Sequence, residues 1–91
     1  MNQILTLHSG LRNTIDGPIL FEFYQTLDEK RILRFEMPKI SNPILILLYN
    51  DKGGRKQLLL EGILEVRLDN LEHGEYQVKS GSHLLFKFAL E

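Results

Sequence analysis

Leu68-Asp69-Asn70-Leu71-Glu72-His73-Gly74-Glu75-Tyr76-Gln77-Val78 is the stretch whose reading decides the fold. It interrupts a period-two pattern with Asp, Asn and Gly, the residues that turn a chain. Leu68, Tyr76 and Val78 are its inward positions, and Gly74 supplies the backbone freedom of a corner. The reading is the end of one strand, a tight corner and the start of the next. The spacing Leu71-x-x-Gly74-x-Tyr76 is that of a tyrosine corner, with the ring buried and the hydroxyl bonded to backbone upstream. It predicts a two-sheet β-sandwich and carries no chemistry of its own.

The neighbouring segments follow the same logic. Before the corner, Leu64, Val66 and Leu68 alternate inward against Glu65, Arg67 and Asp69 outward. Gly62 marks a bulge or turn, and Arg55 to Glu61 is a return strand with Leu58 and Leu60 on one face. Asn50-Asp51-Lys52-Gly53-Gly54 is a hairpin loop. Ile44 to Tyr49 is apolar on both faces; it is too short for a helix and rich in isoleucine, so it reads as a central strand. After the corner, Tyr76 and Val78 continue inward, Ser80 to His83 turns the chain, and a last strand puts Leu84, Phe86, Phe88 and Leu90 inward with Leu85, Lys87 and Ala89 outward.

Further upstream, Pro38 to Pro43 is bracketed by prolines and reads as a crossing from one sheet to the other. Arg31 to Met37 is the cleanest strand, with Leu33, Phe35 and Met37 inward and Arg34 and Glu36 outward. Ile19 to Tyr24 is another, its Ile19, Phe21 and Phe23 sharing a face. Asp16-Gly17-Pro18 is a turn, Ser9-Gly10 a break, and Gln3 to His8 a first strand; Leu11 to Ile15 is either a short edge strand or an extended loop. The fold expectation is all-β: one antiparallel β-sandwich domain over residues 1–91, with seven or eight short strands.

Composition narrows the class of function. Ninety-one residues allow one core. Eleven basic and twelve acidic residues give a net charge of −1, without the basic surplus that phosphate contacts require, so no nucleic-acid partner is expected. No basic amphipathic segment points to a membrane surface, and the apolar run from Pro43 to Tyr49 is too short to span one as a helix. There is no cysteine, which removes disulfides, thiolate metal sites and a cysteine nucleophile. Met1-Asn2-Gln3 opens no charged leader or apolar run, so the expected location is cytoplasmic.

The run Leu68 to Val78 resembles the penultimate turn of immunoglobulin-like and prealbumin-like domains. It is similar to the L-x-x-L-x-x-G-x-Y-x-V pattern of carboxypeptidase regulatory-like domains and collagen-adhesin B-type repeats. Arg31 to Phe88 also resembles bacterial pre-peptidase C-terminal domains, with Asp51-Lys52-Gly53-Gly54 in the place of their hairpin. The resemblance covers about two-thirds of the chain. It implies a sandwich of immunoglobulin-like or prealbumin-like type and a binding or stalk-forming module without an active site.

No motif supports catalysis. His8, His73 and His83 sit at no metal-ligand spacing, and His73 and His83 fall in turns. None of Ser9, Ser41, Ser80 and Ser82 lies in a nucleophile elbow. Asp51 to Lys56 is glycine-rich and basic but lacks the spacing of a phosphate loop. Asp69, Glu72 and Glu75 could offer oxygen to calcium but match no calcium loop. Catalytic, cofactor and metal sites are therefore expected to be absent. The surplus is apolar: Leu45, Leu47, Tyr49 and Leu59 fall on outer faces that one core has trouble covering. They mark a candidate interface for a protein partner, in the simplest case a second copy forming a homodimer. The competing expectation is a small ligand-binding module, holding calcium or carbohydrate at loops 50–55 and 69–75.

Overall fold

The computed structural model describes residues 5–38 and 42–91. Eight strands run in chain order: β1 (Leu5–Thr14), β2 (Gly17–Gln25), β3 (Arg31–Glu36), β4 (Ile44–Asn50), β5 (Arg55–Leu60), β6 (Ile63–Arg67), β7 (Gly74–Ser80) and β8 (His83–Leu90). They form two four-stranded antiparallel sheets, of order β1-β2-β3-β6 and β5-β4-β7-β8. The chain is an all-β sandwich, a slab of 35 × 35 × 18 Å.

Three connections cross between the sheets. β3 and β4 stand in different sheets, so the proline-bracketed segment is a crossing; its residues 39–41 lie outside the described ones. β5 passes to β6 over Glu61 and Gly62, where the Gly62 carbonyl accepts from the Met37 amide at 2.9 Å. β6 passes to β7 over the corner. There the Tyr76 hydroxyl donates to the Glu72 carbonyl at 2.7 Å, and the Tyr76 ring is buried. Gly74 is at φ 138°, and a side chain there would meet the Asp51 carboxylate at 2.6 Å. The predicted tyrosine corner is present, with one difference. Leu68 leaves the strand and begins a single 3-10 turn, Leu68–Asn70, yet stays buried.

The core lies between the sheets. Phe35, Leu33, Ile46, Leu48, Leu60 and Val78 are sealed within it, and Ile19, Phe21, Val66 and Tyr76 complete it. β3 follows its sequence pattern, with Leu33 and Phe35 inside and Arg34 and Glu36 paired on the outer surface. The Asn50–Gly54 loop closes as expected, with the Gly53 amide donating to the Asn50 carbonyl and the Lys52 amide to the Asn50 side chain.

Two expectations about the edges change. Ser9-Gly10 is no break: β1 is continuous from Leu5 to Thr14, with a bulge between Thr6 and His8. Gly10 faces Phe21 across the ladder, and a Cβ on it would lie 2.7 Å from the Phe21 ring. Glycine is required there because an aromatic ring occupies the space over it. The alternation of β8 also slips. Val78 pairs Phe86 and Lys79 pairs Leu84, so Leu85 is the extra residue of a bulge. Leu85, expected outside, is buried at 4% exposure; Leu84, expected inside, is 40% exposed.

Replacing Tyr76 by Phe removes the hydroxyl bond but keeps the ring. It is expected to cost about 1 kcal/mol, a fall in Tm of roughly 4–8 °C for a domain of this size. An unchanged denaturation midpoint would show that the bond is idle. Gly10→Ala is expected to cost about 1–3 kcal/mol by overpacking, because the Phe21 ring is itself stacked on Phe86 at 4.1 Å and cannot swing aside. Equal or greater stability in urea unfolding would refute that account.

Candidate functional site

β4 lies between β5 and β7, so its outer side chains are flanked on both sides. In register, Leu45 faces Leu59; Leu47 faces Gln57 and Lys79; Tyr49 faces Arg55 and Gln77. The slip in β8 brings Leu84 beside Lys79 and leaves Lys87 beside Gln77. The predicted residues Leu45, Leu47, Tyr49 and Leu59 therefore share one outer face. Leu45 is 46% and Leu59 53% exposed. Leu47 is half-buried, and Tyr49 is half-buried with the Lys79 ammonium 5.2 Å from its ring centroid. Leu84 joins this face unannounced, because one period-two pattern carried across a bulge assigns the residues on one side of it to the wrong face.

The face is graded. Its apolar end is the Leu45–Leu59 row with Leu47 next to it; Leu84 stands beyond Lys79 on the β8 edge. Its other end carries Arg55 and Lys87 around Tyr49. The outer face of the opposite sheet is more mixed: Leu11, Leu20, Glu36 and Ile63 form one row, and Glu22, Arg34 and Glu65 the next. Tyr24 is buried there and donates its hydroxyl to the Glu65 carboxylate.

The loops 50–55 and 69–75 do meet. The Asp51 amide donates to the Glu75 carbonyl at 2.9 Å, and a depression of about 510 Å³ lies beside them, bordered by Asp51, Glu75, Lys79 and Lys87. Asp69 turns elsewhere. Its carboxylate accepts from the Arg31 amide at 3.0 Å and pairs with the Arg31 guanidinium at 3.4 Å, contacts that hold its pKa below the usual range. Among the described residues, no three His, Asp or Glu side chains gather closely enough to hold a metal ion, and no helix is long and apolar enough to cross a membrane. His73 and His83 are exposed, in the corner and at the start of β8; His8 lies on β1 with its ring 6.2 Å from Phe23.

A second concavity opens where the edge strands β1 and β8 of the two sheets approach each other. Phe23, Phe86 and Phe88, counted from sequence as core, are only half-buried because they line this opening. Arg12 closes one end of it, its Nε donating to the Leu85 carbonyl at 2.9 Å across the sheets. No protein-family model, no curated protein and no solved structure matches the chain.

Burial pushes the Tyr24 phenol up to about 12; the hydrogen bond and negative charge of Glu65 act in the same direction, and Arg34 opposes them. Below pH 10 the phenol is neutral in folded and unfolded chains alike, so its contribution to stability is whole; it is lost as pH rises from 10 to about 12. Phenolate absorbance should show one late-titrating tyrosine, missing in Tyr24→Phe and shifted part of the way down in Glu65→Gln. A Tyr24 that ionises at the ordinary value in the folded chain would contradict the assignment.

Proposed function

We propose that the chain is a non-catalytic assembly module of immunoglobulin-like type that associates with a second copy of itself through the outer face of the β5-β4-β7-β8 sheet. Two features support the immunoglobulin-like reading over the prealbumin-like one. β2-β3-β6 beside β4-β7-β8 follows the A-B-E and C-F-G order of that fold, with β5 added next to β4 and β1 next to β2. The tyrosine corner stands at the start of the strand equivalent to F, where that fold places it.

The observation that carries the assembly reading is the exposed Leu45–Leu59 pair, extended by Leu47 and Leu84 on the same face. Exposed apolar side chains gathered on one sheet face in this way support an interface. The grading of the face favours a two-fold partner. An axis through the Leu45–Leu59 row sets leucine against leucine and carries the Arg55 and Lys87 ends of the two copies apart, which avoids like-charge contact. Four strands about 4.8 Å apart and six to eight residues long make a face of roughly 19 by 20–26 Å. Such a face buries less than the standard ~800 Å² per partner, so the dimer is weak and dissociates on dilution. Calcium or carbohydrate at the meeting of loops 50–55 and 69–75 has less support, because Lys79 and Lys87 border that depression beside only Asp51 and Glu75.

Light scattering on a sizing column over a dilution series tests the proposal. The chain should shift from dimer to monomer as it is diluted. Leu59→Glu should abolish the dimer and leave the melting curve unchanged at dilutions where the parent chain is monomeric, while Leu20→Glu on the opposite sheet should leave the dimer intact. A monomer at every concentration, or a dimer indifferent to Leu59→Glu, would end this reading.

A further inference from the structure

We propose that the cleft between the β1 and β8 edges is a binding site for a small amphipathic organic anion: an aromatic or short apolar body bearing one carboxylate or sulfonate. The cleft measures about 480 Å³, within the range of small-molecule sites. Its floor is aromatic. Phe23 meets Phe86 and Phe88 edge-on at 5.8 and 5.3 Å, and Phe88 stacks on Tyr76 at 5.1 Å. These rings are fixed by the core on one side and open on the other, so they offer a preformed apolar surface at little ordering cost.

The rim has one sign. Arg12, Arg31 and Lys87 border the cleft, and among the described residues its lining holds no carboxylate, although acids outnumber bases in the chain by twelve to eleven. Arg31 is committed to Asp69, so the charge available to a ligand belongs to Arg12 and Lys87. Arg12 is already held in place. Nε donates to the Leu85 carbonyl and Nη1 to the Leu11 carbonyl, both at 2.9 Å, and the guanidinium lies 5.1 Å from the Phe21 ring centroid. Its remaining donors have no partner among the described residues.

Size and charge together select the ligand class. The Arg12–Leu85 bond closes one end, which shortens the cleft for an added peptide strand. Inorganic phosphate would satisfy the rim but leave the aromatic floor unused, and a neutral hydrocarbon would do the reverse. The site lies on the edge of its sheet opposite β5 and does not rest on the assembly reading.

A matched pair of dyes tests it: 8-anilinonaphthalene-1-sulfonate, and the neutral N-phenyl-1-naphthylamine. The full chain should bind the sulfonate saturably, one per chain and at least tenfold more tightly than the neutral dye. Lys87→Glu should weaken the sulfonate tenfold or more and leave the neutral dye within twofold. Phe23→Leu, which removes one ring of the floor and keeps an apolar side chain among Phe21, Phe86 and Phe88, should weaken both, and Leu59→Glu neither. NMR shift changes should centre on Phe23, Phe86 and Phe88. Absence of sulfonate binding, equal loss of both dyes in Lys87→Glu, or dye binding indifferent to Phe23→Leu would each overturn the proposal.

Discussion

The bond from the Tyr76 hydroxyl to the Glu72 carbonyl fixes where the chain leaves one sheet and enters the other. Upstream of it, β6 is the last strand of the first sheet; downstream, β7 is hydrogen-bonded on both sides in the second. If the corner shifted by one residue, every side chain of β7 would exchange faces. Val78, sealed in the core, would turn to solvent, and Lys79 would enter it. A single neutral hydrogen bond contributes only about 1 kcal/mol, so its weight comes from position more than strength. It sets the register that lets Tyr76, Val78, Phe86 and Phe88 meet the β2–β3 side of the core.

Those contacts are an interleaving of rings between sheets. Phe21 from β2 stacks on Phe86 from β8 at 4.1 Å, and Phe23 wedges between Phe86 and Phe88. Two local departures from regular strand geometry make room for this. Gly10 leaves the space over which the Phe21 ring lies, and the bulge at Leu85 turns its side chain into the core while its carbonyl receives Arg12. A side chain at position 10, or β8 without its bulge, would lose the packing on the β1–β8 side.

Most of the fold was legible because burial imposes alternation and turns impose residue types. Leu33-Arg34-Phe35-Glu36 and Tyr76-Gln77-Val78 have burial patterns that follow from the pleat alone. The crossing at the prolines and the corner were legible for the same reason. Bulges were not, since an extra residue has no compositional mark; Leu84 and Leu85 were assigned to the wrong faces for that reason. Ser9-Gly10 reads as a break because the sequence does not show that an aromatic ring, from another strand, lies over the glycine. Leu45, Leu47 and Tyr49 stand out in the sequence because their strand is apolar on both faces, and Leu59 because it breaks the polar side of β5; the register puts all four on one outer face. The cleft was missed. Phe23, Phe86 and Phe88 alternate as core residues do, and only the three-dimensional gap between two edge strands exposes them.

The treatment of the edges bears on how this chain can associate. A sandwich with two four-stranded sheets has four edges, here β1, β6, β5 and β8. Unprotected, each is a template for pairing with another chain. On β5, Lys56 faces Leu48 across the ladder and so points from an edge strand toward the core side; on β1, Arg12 does the same opposite Ile19. A strand docking on either edge would have to bury these charges. Such charges cost several kcal/mol to desolvate without a partner, more than a short ladder of backbone bonds at about 1 kcal/mol each readily offsets. Association through edge pairing is thereby disfavoured at β5 and β1, where the charge points inward. The Leu45–Leu59 end of the β5-β4-β7-β8 face has no such charge at its centre, which leaves burial of that face as the route with the smaller desolvation cost.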